Sequence, residues 1–415
     1  MVDLSVGSSF MGPDAALIKK TFRWDCLRGG MYGVVETGWG GFALVIAIGF
    51  FQAQDWVKGL VAAATPFGLL FNPISLSFFV KSGWRAGSIA SVLAVVSGAL
   101  MLAGSFADSL WGFLVPVCLA FAVSAQTMPL LVQIWTSNYP SDKRGSYLSI
   151  SLMVSIFAAF VTSVSGGWLL DRDISMYRWV LIALSFGYFM TGVALSQIPT
   201  TPLRRGVAEN PLRNFGYVVE DKKFGLMLLS WMFLGFGNLM VLPLRVEYLL
   251  QPEYGIEASK LVVMMATIGV PAFFRFISSR MWGYLFDHID FMILRAVLNV
   301  LIMISIGLFL TTKDLWVIFS ASAVLGTAMA GANISWSLWV TKFATPERTP
   351  AYMSIHSFTT GVRGVLAPFL GFYLISYLGA TGTAVTGVTL VFISILIVAV
   401  MYIGLRKKTR QVEDS

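Results

Sequence analysis

The sequence predicts an all-α integral membrane protein of twelve transmembrane helices in two pseudo-symmetric six-helix bundles. Three observations predict it. The 415 residues are 57% hydrophobic and only 12% charged, about half the charge of a soluble domain, and mean hydropathy is +0.77. Apolar runs of about twenty residues recur along the chain, the length a helix needs to cross a bilayer. Stretches such as 86–107 and 384–401 are apolar all round, without the period-two alternation of a membrane barrel, so the spans are helices whose amides bond internally.

The spans fall in order at 30–52, 57–79, 86–107, 110–135, 146–170 and 178–198, then at 225–249, 258–283, 292–311, 315–340, 351–378 and 383–404. Ahead of the first lies a polar segment that reads as a short interfacial helix over 13–28. Between the sixth and seventh lies the longest polar loop, which divides the chain into an N-terminal segment 1–29, a bundle 30–198, a central loop 199–224, a second bundle 225–404 and a tail 405–415. Tyr147-Leu148-Ser149-Ile150 opens the fifth span and Tyr352-Met353-Ser354-Ile355 the eleventh. That is the mark of a parallel six-helix repeat.

Loop charge sets the orientation. With the N-terminus inside, 20 of the 29 Lys and Arg fall in inside segments, Arg295 among them, and five fall outside, Lys58 and Lys260 among them. This excess places both termini in the cytoplasm. It also accounts for the net charge of +8 without a nucleic acid partner. No secretory signal is evident in the first thirty residues. Cys26 and Cys118 do not form a disulfide framework.

The loops carry motifs. After the eighth span stands Gly283-Tyr284-Leu285-Phe286-Asp287-His288, and after the second Lys81-Ser82-Gly83-Trp84-Arg85. Pro140, Arg144 and Gly145 follow the fourth span, and Tyr177-Arg178-Trp179 opens the sixth. With the twelve-span layout, these segments resemble the major facilitator superfamily. That family's loop pattern is Gly-x3-Asp-Arg/Lys-x-Gly-x-Arg/Lys. Gly283 and Asp287 match its first half, and Lys81, Gly83 and Arg85 its second, whereas Leu76 and Val80 stand where the first copy should have Gly and Asp. The resemblance implies a secondary transporter working by alternating access. It implies a gate in which Asp287 pairs across the halves with Lys143, Arg144 or the start of the fifth span. The Gly-Pro-x-x-Gly-Gly run of drug antiporters is reduced here to Gly166-Gly167.

Polar groups inside spans are costly and mark sites. Glu36 shares a face of the first span with Tyr32, Trp39 and Gly40. It suits a proton carrier, a counter-charge for a cationic substrate, or a fixed ion pair with an arginine. Arg363 continues a stripe of Tyr352, His356 and Thr359. Its planar fork suits a carboxylate or phosphate, with Glu36 or backbone carbonyls as the alternative partners. His356 is a second proton-coupling candidate, or a structural hydrogen-bonding group. Arg275 follows Pro271 in the eighth span. Arg245 and Glu247 end the seventh at the outer interface. Gln126, Asn238, Asn333 and Trp336 complete the substrate-binding candidates, since the first, fourth, seventh and tenth spans line the cavity in the resembled family. The amides serve equally as interhelical glue.

No nucleotide loop, catalytic constellation or metal-ligand cluster is evident. The expectation is therefore a transporter, with no enzyme activity, cofactor or metal. Its partners are a small solute, the bilayer and a coupling proton. Three internal arginines against one internal acid favour an organic anion. Drug or cation efflux is the alternative, and a transporter-like receptor without flux is the reading from another class. The expected setting is a monomer in a bacterial inner membrane.

Overall fold

The computed structural model describes residues 15–140, 143–201, 215–343 and 349–413, some of them by backbone alone. Among the described residues, ten stretches are long and apolar enough to cross a membrane. One of these, Ile355–Gly404, breaks at Gly379, whose φ of 68° favours a residue without Cβ. It therefore supplies two crossings. Asp55–Ser82, a 28-residue helix, brings the described crossings to twelve.

In order the helices are α1 Ala15–Gly49, α2 Asp55–Ser82, α3 Ala86–Ser105, α4 Leu110–Asn138, α5 Arg144–Arg172 and α6 Tyr177–Gln197. The second bundle has α7 Lys222–Leu250, α8 260–288, α9 Phe291–Thr311, α10 Leu315–Leu338, α11 349–378 and α12 380–413. Within each bundle the helices pack as sequential neighbours and across the centre. The bundles meet where α2 lies along α11 and α5 along α8. An even number of crossings puts both termini at one end, the terminal end. The opposite end is the far end.

The repeated tetrapeptide does the same structural work twice. Tyr147 stacks on Tyr139 and packs on Phe22 of α1. Tyr352 packs on Phe224 of α7, with ring centroids 4.0 Å apart. Each ties its bundle's fifth helix to the bundle's first.

α1 differs from expectation. The polar segment over 13–28 is not a separate interfacial helix: α1 runs unbroken from Ala15. The reason is a buried polar knot. Asp25 is fully buried and accepts hydrogen bonds from Arg28 at 2.6 Å, Trp135 at 3.2 Å and Tyr139 at 3.4 Å. Asn138 donates to Thr21 and to the Pro199 carbonyl. With these groups paired, helix and charge enter the bundle together.

Three of the irregular crossings border the cavity described next. α1 contains a π-helical segment at Gly38–Phe42 and α8 another at Met265–Gly269. α7 turns at Leu242-Pro243 between Lys222–Val241 and Leu244–Leu250, because proline removes one backbone bond and clashes with the preceding turn. Polar backbone freed at membrane depth is tolerated where protein or a cavity surrounds it.

Candidate functional site

A cavity of about 400 Å³ lies between the bundles, with walls from α1, α2, α5, α7, α8, α10 and α11. The wall is mostly apolar: Leu44, Val61, Leu69, Leu239, Ile268 and Met329 are typical. Three charged side chains line it, Glu36, Arg245 and Arg275.

Glu36 and Arg275 form a two-point pair across the bundles. Arg275 Nη1 donates to Glu36 Oε1 at 3.0 Å and Nη2 to Oε2 at 3.4 Å. Their side chains are 19% and 15% exposed. The π segments place them. Glu36 precedes Gly38–Phe42 and Arg275 follows Met265–Gly269, and the two segments pack on each other, with Gly40 and Gly41 against Ile268. A π turn shifts the facing of the residues around it and is frequent at functional sites.

Arg245 is 1% exposed. Its Nη2 donates to Ser305 at 2.9 Å, its guanidinium carbon lies 4.6 Å from the Phe309 ring centre, and Nε and Nη1 have no partner. The expected interfacial position of Arg245 and Glu247 is thus corrected, because the Leu242-Pro243 turn carries both into the protein. Glu247 is 3% exposed and pairs with Lys58 Nζ at 2.5 Å. Lys58, expected at a loop edge, is 4% exposed and bonds Asp55 as well, at 3.0 Å.

The other sequence candidates disperse. Arg363 does not line the cavity. Its Nη1 donates to the Trp231 carbonyl at 2.7 Å and its Nη2 to the cavity-lining Thr360 at 2.9 Å, so it turns into the second bundle rather than into the cavity. It fits there because Gly235 of α7 has no side chain: a Cβ at 235 would sit 2.1 Å from Arg363 Cδ. His356 is fully buried among the rings of Trp231, Trp336 and Trp339. Gln126 stands at the break in α4, accepts a bond from Ser75 at 2.5 Å and donates to the Gly68 carbonyl, so it fastens α4 to α2. Tyr32 is 39% exposed. Asn238 is half-buried with its Oδ1 unpartnered, and Asn333 is exposed. None of these is in the cavity wall. Trp39 and Gly40, read on the Glu36 face, are in it.

At the terminal end, Arg144 donates to the Thr136 and Tyr139 carbonyls at 3.1 and 3.3 Å, within its own bundle. Lys81 and Arg85 are exposed around Gly83, which caps α2 in the left-handed conformation. Gly283 faces open space, and the side chain of Asp287 lies outside the described residues. At the far end the bundles are tied. Besides Lys58–Glu247, Ser376 donates to Asp55 at 2.6 Å, and Asp171 of α5 caps α8 by accepting from the backbone N–H of Lys260 and, at 3.1 Å, of Leu261. Polar ties between the bundles are seen here and at Glu36–Arg275. Sequence reading passed over these ties because each residue sits in a span's first or last turns, where a charge ordinarily reaches the interface.

Comparison with known proteins follows the geometry. The family profile described as Major Facilitator Superfamily matches residues 34–368. A 127-residue stretch is 32% identical to the multidrug export protein EmrB of Haemophilus influenzae, covering 29% of this chain and 23% of that protein. Among solved structures, the chain resembles the nucleoside transporter NupG, with TM-score 0.69, 14% identity and 93% and 98% of the two chains covered. It also resembles a D-xylose-proton symporter, with TM-score 0.67, 13% identity and 93% and 97% covered. A bacterial homolog of the lysosomal transporter Spinster, in an inward-facing and occupied conformation, gives TM-score 0.64 at 15% identity over 94% and 96%. At such identities the likeness is one of fold.

Proposed function

Since this chain belongs to the major facilitator superfamily and is a multi-pass membrane transporter, we propose that it carries a small organic anion together with a proton by alternating access. The observation that carries this reading is the Glu36–Arg275 pair, which joins the two bundles inside the cavity. With Glu36 ionised, Arg275 is engaged. A proton on Glu36 frees the Arg275 fork for a carboxylate, and loss of that proton recloses the pair and expels the anion. Two arginines against one acid in the wall favour an anion, and the apolar walls favour an apolar body. Arg363 and His356, which do not line the cavity, have no part in this cycle.

The excess of Lys and Arg at the terminal end supports a cytoplasmic setting for that end. The tied far end then faces outside, and the present state is closed to the outside. Lys81, Gly83, Arg85, Arg144, Gly283 and Asp287 would tie the cytoplasmic end in the opposite state. The moving units are 30–198 and 225–404, in a monomer of the bacterial inner membrane.

The test is uptake of a panel of labelled monocarboxylates into proteoliposomes under an inward proton gradient. Gradient-driven uptake should vanish in Glu36→Gln while anion exchange persists. Gradient-driven uptake that survives this change removes the proton role, and binding unaffected by Arg275→Ala removes the anion role. The apolar wall and the stretch shared with a drug exporter support a second reading, efflux of lipophilic cations with Glu36 as counter-charge. Under that reading, a lipophilic cation and not a carboxylate should accumulate in inverted vesicles.

A further inference from the structure

Behind α11, inside the second bundle, lies a cluster of positive charge that the proposed cycle does not use. Arg295, in the first turns of α9, is fully buried, Arg363 is 3% exposed, and His356 is fully buried. Arg295 is counted from sequence among the inside segments, at the start of the ninth span. Its guanidinium carbon instead lies 3.3 Å from the centre of the Trp231 ring, with that of Arg363 at 5.8 Å from the same ring. The His356 ring is 5.2 Å from Trp231 and 5.1 Å from Trp339.

The donors here are idle. Nε, Nη1 and Nη2 of Arg295, Nε of Arg363, both ring nitrogens of His356, and the indole nitrogens of Trp231 and Trp339 have no partner. Among the described residues, no carboxylate pairs with either arginine. Asn299 Oδ1, one turn after Arg295, is unpartnered too, so even the neighbouring neutral acceptor takes none of these bonds. Buried arginines normally carry a counter-charge, and buried donors normally bond. Aromatic faces offset part of a cation's lost hydration, yet they leave the Arg295 N–H groups without an acceptor atom.

We propose that this cluster binds a small inorganic monoanion of the halide type, which completes the second bundle. Two guanidinium groups supply the charge, the indole and imidazole N–H groups supply directed donors, and enclosure by aromatic rings favours a compact ion over an organic acid. The proposal is independent of the transport reading, since none of these groups lines the cavity.

The test compares thermal unfolding of the purified protein in chloride and in gluconate at equal ionic strength. Chloride should raise Tm saturably by several degrees and gluconate should not, and Arg295→Met should abolish the difference. Should that variant fail to fold, crystals of the unaltered protein soaked in bromide decide, with an anomalous peak expected between Arg295 and Arg363. A Tm indifferent to the anion, a chloride response that persists in Arg295→Met, or bromide absent from the cluster overturns the proposal.

Discussion

Lys58→Met should open the far end. The Lys58 and Glu247 side chains are 5% and 4% exposed, with Nζ and Oε1 2.5 Å apart. Removing one partner of a buried pair costs about 3–5 kcal/mol, because the other charge is left uncompensated. Here that charge is Glu247, whose second oxygen already lacks a partner. The cost falls on the state in which the far end is closed; once it opens, water reaches the carboxylate. At about 1.4 kcal/mol per tenfold, the balance should move by roughly two to three and a half orders of magnitude. Glu247→Gln should do less, since Lys58 keeps Asp55 at 3.0 Å. The double change Lys58→Met with Glu247→Met should return toward the unaltered protein, since an apolar pair of similar volume often replaces a buried ion pair without loss. The assay is labelling of Val61→Cys, a position in the cavity wall, by a membrane-impermeant maleimide added at the far side, in a background of Cys26→Ser and Cys118→Ser. Equal labelling rates in the unaltered, single and double variants would refute the reasoning.

Three further outcomes are expected. Asp171→Ala removes the cap on α8, a loss of about 0.5–2 kcal/mol, and should raise far-side labelling in the same assay by less than Lys58→Met. Arg275→Lys keeps the charge but not the two-point fork to Glu36, so substrate affinity measured by equilibrium binding should fall about tenfold or more rather than persist. Gly235→Ala places a Cβ 2.1 Å from Arg363 Cδ; this overpacking costs about 1–3 kcal/mol and should lower Tm, whereas Gly404→Ala, in a helix and meeting open space, should not lower it.

Much of the fold was legible because a bilayer leaves the backbone few choices. Apolar runs of crossing length must be helices, and the spans read from hydropathy coincide with observed helices from α2 to α12. The element misread was the start of α1. Asp25 and Arg28 look like interfacial charges in one dimension, and their partners Trp135, Tyr139 and Ser151 come from helices more than a hundred residues away. Lys58 and Arg295 were misread for the same reason.

The site was half legible. Glu36 and Arg275 were visible as costly groups at membrane depth, and the sequence left the acid's arginine partner open. Arg363 looked equally placed for a central role on the stripe rule. That rule assigns a face of a helix without saying which neighbour the face meets, and here a missing side chain at Gly235 admits the arginine to the bundle interior.

Hydropathy, a repeated tetrapeptide and the distribution of lysine and arginine by themselves determined an all-helical, twelve-crossing protein with both termini at one end, since each depends on the chain's relation to lipid and water. Tertiary structure decided which charges meet: Glu36 with Arg275, Lys58 with Glu247, and Arg295 with no acid. Those pairings depend on two π-helical segments, a proline turn and a glycine notch, shifts of a fraction of a turn that composition cannot encode and that decide, for a buried charge, which partner is within a hydrogen bond's reach.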